Sequence, residues 1–299
     1  MIGGVNLWDP THVSFTVDLL TAFLLGIVHG ITPDEHTWPI TFSYAVGGYS
    51  TRRGLRAGLL FSLAFAIQAA LASELAYFGM TQWFASEVFD NAVYLAVGIV
   101  MAAAGLFAMG RGALPHLHLP GLRRAQEQEQ APARPRELQW WMPAVHGFIA
   151  GWGIDAFSAI IYTTLAPAMP SAATGWMPGF VFGCGTLCVQ AAAGAAFGAW
   201  AMRRGLPNEA IRTIALTTAA RTLTWGGLAF AAFGLFGLVF PGAADIALKT
   251  PLRVHNLDRL GLPLLLLIVV VLGVGVTSFV SATQACRRRL LAEPAAMKS

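Results

Sequence analysis

Charged residues are scarce in this chain of 299 residues, of which Asp, Glu, Lys and Arg together make up 11%. Soluble globular domains carry about 25% of these residues, because their surface faces water. Hydrophobic residues make up 56% and the mean hydropathy is +0.61. This composition excludes a soluble enzyme and a disordered chain, and it predicts an all-α, polytopic membrane helix bundle.

Cysteine and lysine are also rare, with three and two residues respectively. Three cysteines are too few for a disulfide framework. The seventeen arginines occur in short, scattered clusters, which are typical of loops that anchor membrane spans and not of a nucleic-acid-binding face. No Lys or Arg precedes Arg52, so the basic region of a cleavable signal peptide is missing and we expect the first hydrophobic segment to be retained.

Long apolar segments are abundant, and about 20 apolar residues are enough to cross a bilayer as a helix. A shorter apolar segment, 36–48, lies just after the first long one. If it is re-entrant, the chain has seven spans and an outside N-terminus, and if it crosses, there are eight and an inside N-terminus. The absence of early basic residues favours seven. The predicted spans are 14–31, 54–79, 91–110, 143–168, 176–202, 211–240 and 262–285.

The basic residues alternate between the two sides of these predicted spans. Fifteen of the nineteen lie in loops on one side, three lie on the other, and Arg221 lies inside a span. By the positive-inside rule the arginine-rich side is the cytoplasm. We therefore place the C-terminus in the cytoplasm and the protein in the plasma (inner) membrane.

One hydrophilic segment divides the chain. Residues 111–138 are rich in Arg, Gln, Glu and Pro, a composition typical of a flexible linker, here on the cytoplasmic side. The linker separates an N-terminal membrane half, 1–110, from a C-terminal membrane half, 139–299.

The two halves share a short sequence. GIVHGITPDEH, from Gly26 to His36, and AVHGFIAGWGID, from Ala144 to Asp155, both contain Val-His-Gly followed by an Asp. With three crossings before the linker, the second half enters the membrane from the opposite side, as in inverted repeats whose sites form at the repeat interface. A chance match of three residues explains the similarity equally well.

Ionisable side chains inside apolar segments are the candidates for function, because a charge at the bilayer centre costs at least about 2.5–3.5 kcal/mol. The densest group contains His29, Asp34 and His36, with Pro33 breaking the helix between them. A turn at Pro33 can bring the three side chains around one cation. Imidazole together with carboxylate suits a divalent transition metal.

A structural explanation exists for part of the same group. Thr32 can be the N-cap of a new helix, with Pro33 at its first position, and Glu35 can complete a capping box. On that account Asp34 complements the helix dipole. This explanation is stronger for Glu35 than for Asp34, and it leaves the two histidines unexplained.

Two further candidate ligands lie in the second half. Asp155 lies well inside the span 143–168, and His146 lies near its end. For Asp155 an ion pair with Arg221 is an equal alternative, and a packed or snorkelling histidine is the alternative for His146. Arg221 belongs to a polar stripe that we expect to face the bundle interior, consisting of Thr213, Thr217, Arg221 and Thr224.

The chain resembles the nickel/cobalt transporter family, the NiCoT and NicO group that includes urease-accessory relatives. Three segments carry the resemblance: His29-Gly-Ile-Thr-Pro-Asp34-Glu-His36, Gly58-Leu-Leu-Phe-Ser-Leu-Ala-Phe65, and Gly147-Phe-Ile-Ala-Gly-Trp-Gly-Ile-Asp155. The resemblance implies a secondary permease for a divalent cation, nickel or cobalt, with Zn, Mn or Fe as further substrates. It carries over His29, Asp34, His36 and Asp155 as ligands of the transported ion, with no permanently bound cofactor.

Two other functions remain open. One is an anion (sulfite-like) exporter on a related scaffold, since a helix N-terminus at Thr32 presents free amides and the positive end of a dipole. The other is a membrane redox protein in which His29 and His146 ligate haem, or in which a bound metal activates water. We expect a transporter and not an enzyme, because no complete catalytic group of residues is present.

Overall fold

The computed structural model describes residues 14–32, 37–109, 137–202, 207–242, 247–249, 259–261, 265–266 and 268–296. These residues are helical except for turns and one ribbon of two short antiparallel strands, β1 (Ala247–Lys249) and β2 (Arg259–Gly261). The first half contains α1 (Phe15–Ile31), α2 (Trp38–Gly47), α3 (Thr51–Tyr77), a 3-10 turn (Thr81–Trp83) and α4 (Glu87–Ala108). The second half contains α5 (Met142–Ala150), α6 (Ala156–Ile160) with a π-helical turn (Ile161–Leu165), α7 (Ala172–Gly175), α8 (Met177–Met202), α9 (Asn208–Val239), a second π-helical turn (Val269–Val276) and α10 (Thr277–Ala296).

Serine side chains start three helices of the first half. Ser14, Ser50 and Ser86 precede α1, α3 and α4, and each hydroxyl accepts a hydrogen bond from the backbone N–H three residues later. Serine is a preferred N-cap because its oxygen satisfies a donor that the first turn leaves free. In α4 the acidic residues Glu87 and Asp90 also complement the positive end of the helix dipole.

Among the described residues, four helices are long and apolar enough to cross a membrane, namely α3, α4, the α7–α8 unit and α9. They coincide with four of the predicted spans, and they make the chain an integral membrane protein. The outward face of α3 carries a large apolar side chain at every fourth residue, as expected for a surface in contact with lipid. These side chains are 38–48% exposed and are Leu55, Leu59, Leu63, Ile67 and Leu71.

Two segments of the predicted topology can be compared with the structure. In the short apolar segment 36–48, whose crossing the sequence leaves open, the described residues form the ten-residue helix α2, whose rise of about 15 Å is half the hydrocarbon thickness of a bilayer. The predicted continuous span 143–168 is wrong, because its helix ends at Ala150 and a new one starts at Ala156. A total of seven spans therefore remains a prediction.

Glycine contacts relate the two halves by a two-fold axis. A Cβ atom on Gly26 would lie 2.0 Å from the carbonyl oxygen of Phe182, and one on Gly147 would lie 2.0 Å from that of Phe61. Both glycines and both phenylalanines are 121 residues apart. α1 therefore packs on α8 in the same way as α5 packs on α3, with the glycine backbone directly against the backbone of the neighbouring helix.

The same reciprocal contacts occur between the long helices α3 and α8. Gly58 of α3 faces the carbonyl of Gln190 in α8, and Gly179 of α8 faces that of Ala69 in α3, again with an interval of 121 residues. Later residues of α3 contact earlier residues of α8, so the two helices run antiparallel.

A second pair of helices, α4 and α9, shows the same kind of exchange, with equivalent positions 129 residues apart. Gly105 of α4 faces the carbonyl of Ala220 in α9, and Gly234 of α9 faces that of Asn91 in α4. An axis that exchanges antiparallel helices is perpendicular to them.

The interval of 121 also reveals a repeat in the sequence. Ser50-x3-Gly54-x3-Gly58-x2-Phe61 recurs as Ser171-x3-Gly175-x3-Gly179-x2-Phe182. The Val-His-Gly similarity has a different interval, and it is wrong as an alignment of the halves. In the structural register His29 corresponds to Ala150 and His146 to Leu25, whereas Asp155 corresponds to Asp34.

Candidate functional site

Both halves contain a break between two short helices. α1 ends at Ile31 before Pro33, and α2 begins at Trp38 with Thr37 as its N-cap. α5 ends at Ala150, and the segment 151–155 leads into α6. Proline lacks an N–H for the helix, and the two glycines of the second break favour turns.

Thr32 ends the first helix. It is the C-cap of α1, its backbone is extended, and its hydroxyl donates to the carbonyl of Val28 at 2.8 Å. The negative end of the α1 dipole therefore lies at this break. The predicted capping box that starts at Thr32 stays a prediction, because Pro33, Asp34 and Glu35 lie outside the described residues.

His29 and Asp155 meet between the two breaks. The Nδ1 atom of His29 lies 2.5 Å from Oδ2 of Asp155, and their side chains are only 5% and 7% exposed. The pair joins the last turn of α1 to the start of α6, so each half supplies one partner. An acid and an imidazole 126 residues apart in sequence thus form one buried, charge-assisted contact.

The second oxygen of Asp155 holds the start of α6. Oδ1 accepts a hydrogen bond from the Ser158 N–H at 2.6 Å, and the Ser158 hydroxyl accepts one from the Asp155 N–H at 2.9 Å. This capping box fixes the carboxylate, which leaves it oriented toward His29. Ser158 is a site residue that the buried charges do not point to, although a Ser three residues after an Asp is a recognisable cap signal.

Aromatic rings surround the imidazole of His29. Phe65 of α3 stacks on it with ring centroids 5.6 Å apart, and Phe182 of α8 and Phe157 of α6 lie at 5.2 and 6.2 Å. Such a surrounding strengthens the electrostatic contact because it excludes water. A neutral histidine that donates Nδ1–H to a carboxylate carries its lone pair on Nε2, which is the arrangement of a metal-ligating histidine.

His146 belongs to a different group of contacts. It is 1% exposed, and its Nδ1 lies 3.0 Å from both the Tyr44 hydroxyl and the Met142 carbonyl. Its role here is to join α5 to α2. Among the predicted ligands, the structure thus brings His29 and Asp155 together and places His146 elsewhere, while Asp34 and His36 lie outside the described residues.

Within the described part of the chain, no three His, Cys, Asp or Glu residues form a group that could hold a metal ion. His29 and Asp155, the two candidate ligands that do meet, are too few to hold an ion by themselves.

Arg221 does not pair with Asp155 in the described residues. Its guanidinium is exposed and donates to the Ser281 hydroxyl of α10 at 3.2 Å. Thr213 is exposed as well, so the predicted stripe on α9 faces outward there and only Thr224 is buried. The helix was expected to turn this stripe inward, but small residues such as Gly227 and Ala231 form its contact with α4 instead.

A polar cluster ties the halves together at the start of α3. Glu137 accepts a hydrogen bond from the Tyr49 hydroxyl at 2.8 Å and one from Arg212 Nε at 3.3 Å, and Arg53 lies 3.9 Å from the same oxygen. The bond from Tyr49 lowers the pKa of Glu137 below 4.5; partial burial opposes this, and the two arginines reinforce it. A cavity of about 280 Å³ opens here and extends to Tyr44.

No family model matches this chain, and no curated protein or solved structure matches it either.

Proposed function

We propose that this integral membrane protein is a permease that moves a divalent transition-metal cation, nickel or cobalt in the first instance, by alternating access of its two halves. The observation that carries the proposal is the buried His29–Asp155 contact at the meeting point of two broken helices. Broken helices at a repeat interface are the arrangement in which transporters hold their substrate. The nickel/cobalt resemblance of the sequence is the reason to name these two metals first.

The carboxylate of Asp155 favours a cation over an anion at this site. The helix dipoles do not decide between them, because α1 and α5 end at the breaks with their negative ends and α2 and α6 begin there with their positive ends. The anion-exporter alternative needs free amides at this site, where the structure places a carboxylate beside His29. The haem alternative needs His29 and His146 as a pair, whereas His29 contacts Asp155 and His146 contacts Tyr44 and Met142.

The two-fold relation supports alternating access. Antiparallel pairs related by an axis perpendicular to the helices become inverted repeats when the helices cross a bilayer. In such a protein the two halves can exchange conformations around a site on the axis. We place the cluster of Glu137, Tyr49, Arg53 and Arg212 on the cytoplasmic side with the C-terminus, following the positive-inside rule.

In this mechanism the transported ion is the substrate. His29 offers the lone pair of Nε2, and Asp155 orients the ring and balances the charge of the ion. Asp34 and His36 are the next ligands implied by the sequence resemblance. Because a protonated imidazole cannot bind a metal, protons compete with the ion at His29, which allows counter-transport of protons.

A flux assay tests the proposal. Purified protein in liposomes is exposed in turn to Ni²⁺, Co²⁺, Zn²⁺, Mn²⁺ and Fe²⁺, and entry is followed with a metal-sensitive dye. We expect uptake of at least one ion that is lost in His29→Ala and kept in His118→Ala, a matched histidine removal in the linker. Uptake no faster than in protein-free liposomes for all five ions would falsify the proposal.

A further inference from the structure

Gln68 is a fully buried amide in the middle of α3, with an exposed fraction of 0%. Neither its oxygen nor its nitrogen has a hydrogen-bond partner among the residues that the structure describes. A buried amide without partners is destabilising, so such a residue calls for an explanation.

Gln68 lies against the start of the second break, where the Phe65 ring that stacks on His29 also lies. A Cβ atom on Gly151 would be 2.4 Å from Gln68 Oε1 and 3.1 Å from the ring of Phe65, which itself stacks on His29. Gly151 begins the break that ends at Asp155. The amide oxygen therefore lies along the segment that delivers the carboxylate, one helical turn from the ring that covers the imidazole.

The two-fold relation shows what packing alone requires at this position. The counterpart of Gln68 is Val189 in α8, which lies against Gly30 as Gln68 lies against Gly151. A valine fills this place in the first break, so the fold does not need an amide there. The neighbouring Gln190 is also buried, but its Nε2 donates to the Gly30 carbonyl and to Thr37, both at 3.4 Å.

We propose that Gln68 is a ligand of the transported cation, contributing its carbonyl oxygen next to His29 and Asp155. The inference rests on the proposed transport function and adds a donor that the sequence did not suggest. A neutral oxygen donor suits a transported ion because it replaces hydration without adding a charge that would trap the ion. It also accounts for the difference between Gln68 and Val189, since only one of the two equivalent places then binds the ion.

The test combines Ni²⁺ binding with thermal stability of the full chain in detergent. In Gln68→Val, which installs the residue of the equivalent place, we expect at least tenfold weaker binding and an unchanged or higher melting temperature. Gln68→Glu keeps an oxygen donor and should bind Ni²⁺ at least as tightly as the wild type. Gln190→Leu is the matched control, and its melting temperature should fall because Gln190 has partners.

Two results overturn the inference. One is wild-type affinity for Ni²⁺ in Gln68→Val. The other is a fall in its melting temperature as large as that of Gln190→Leu, which would mean that Gln68 supports the fold. Failure of the wild type to bind Ni²⁺, Co²⁺ or Zn²⁺ rejects the proposed function itself and is distinguishable from both.

Discussion

The two halves of the molecule have the same packing and different chemistry. Gly26 and Gly147 occupy equivalent places, and each faces a phenylalanine carbonyl of the other half at 2.0 Å from its ideal Cβ position. In a bilayer, helices associate through such close contacts because lipid removes most of the hydrophobic drive between them. The equivalent packing of the two halves thus depends on small residues at these contacts.

The polar residues break this symmetry. His29 has Ala150 as its counterpart and Gln68 has Val189, so this imidazole and this amide are absent from the equivalent positions of the second half. Asp155 is different, because its counterpart in sequence is also an acid, Asp34. The following predictions test whether the proposed transport depends on the positions at which the halves differ, on the shared acid, or on both.

The largest effect is expected where the halves are alike. Gly26→Leu and Gly147→Leu should each destabilise the protein by more than about 4 kcal/mol, because a side chain would overlap a backbone carbonyl. Thermal unfolding in detergent measures this. Gly273→Leu is the control, since the nearest atom to its Cβ position is 3.9 Å away. Tolerance of one of the two variants would contradict equivalent packing.

The two buried histidines should respond in opposite ways. His29→Ala should reduce metal uptake on the order of 100-fold, the upper range for the loss of a metal-site group. His146→Ala should keep uptake within about twofold but lose about 1–3 kcal/mol of stability, because Tyr44 loses its partner. Uptake and unfolding measured on the same preparations separate the two roles. Equal loss of uptake in both variants would place His146 in the transport path.

The charge of Asp155 can be separated from its capping role. Asn is also a good N-cap, so Asp155→Asn should change stability by less than about 1 kcal/mol. Uptake should nevertheless fall about 10- to 100-fold, because the oriented carboxylate beside His29 is lost. Ser158→Ala is the control for the cap, and it should lower stability while leaving uptake nearly unchanged. Normal uptake by Asp155→Asn would show that the carboxylate only caps α6.

The smallest effect is expected at the cluster around Glu137, which has no counterpart at the opposite end in the described residues. The contribution of ionised Glu137 to the free energy of unfolding is present above its usual pKa of 4.5, and it is lost as the pH falls through the lowered pKa of the folded protein. The pair is half exposed, so the contribution is below about 1 kcal/mol and decreases with salt. Melting temperatures of the wild type and Glu137→Gln should converge as the pH falls through the lowered pKa of Glu137. A constant difference across the pH range would assign the effect to another group.

Part of this organisation is predictable because it depends on local sequence. The hydropathy of α3, α4, α8 and α9 predicts membrane helices, since burial in lipid depends on the composition of about 20 consecutive residues. Pro33 predicts the end of α1 because it cannot complete the helical hydrogen bonds. The scarcity of charge also identifies His29 and Asp155, because ionisable groups in apolar segments are rarely without a role.

Other features depend on residues that are far apart in sequence. Hydropathy does not predict the break at 151–155, because the average over about 20 residues stays apolar across it. The partner of Asp155 is His29 and not Arg221, and the sequence could not decide this because both are basic residues inside apolar segments. Gln68 has no signal in the sequence beyond being polar, and only its comparison with Val189 gives it a meaning.

The sequence by itself determined that this chain is a helical membrane protein, where its first broken helix ends, and which ionisable residues are costly enough to matter. Each of these follows from the free energy of placing one residue or one segment in lipid. The tertiary structure alone decided which buried groups meet, which side of α9 faces outward, and which interval relates the halves. These depend on how closely two backbones approach, and that distance is set jointly by residues from both halves.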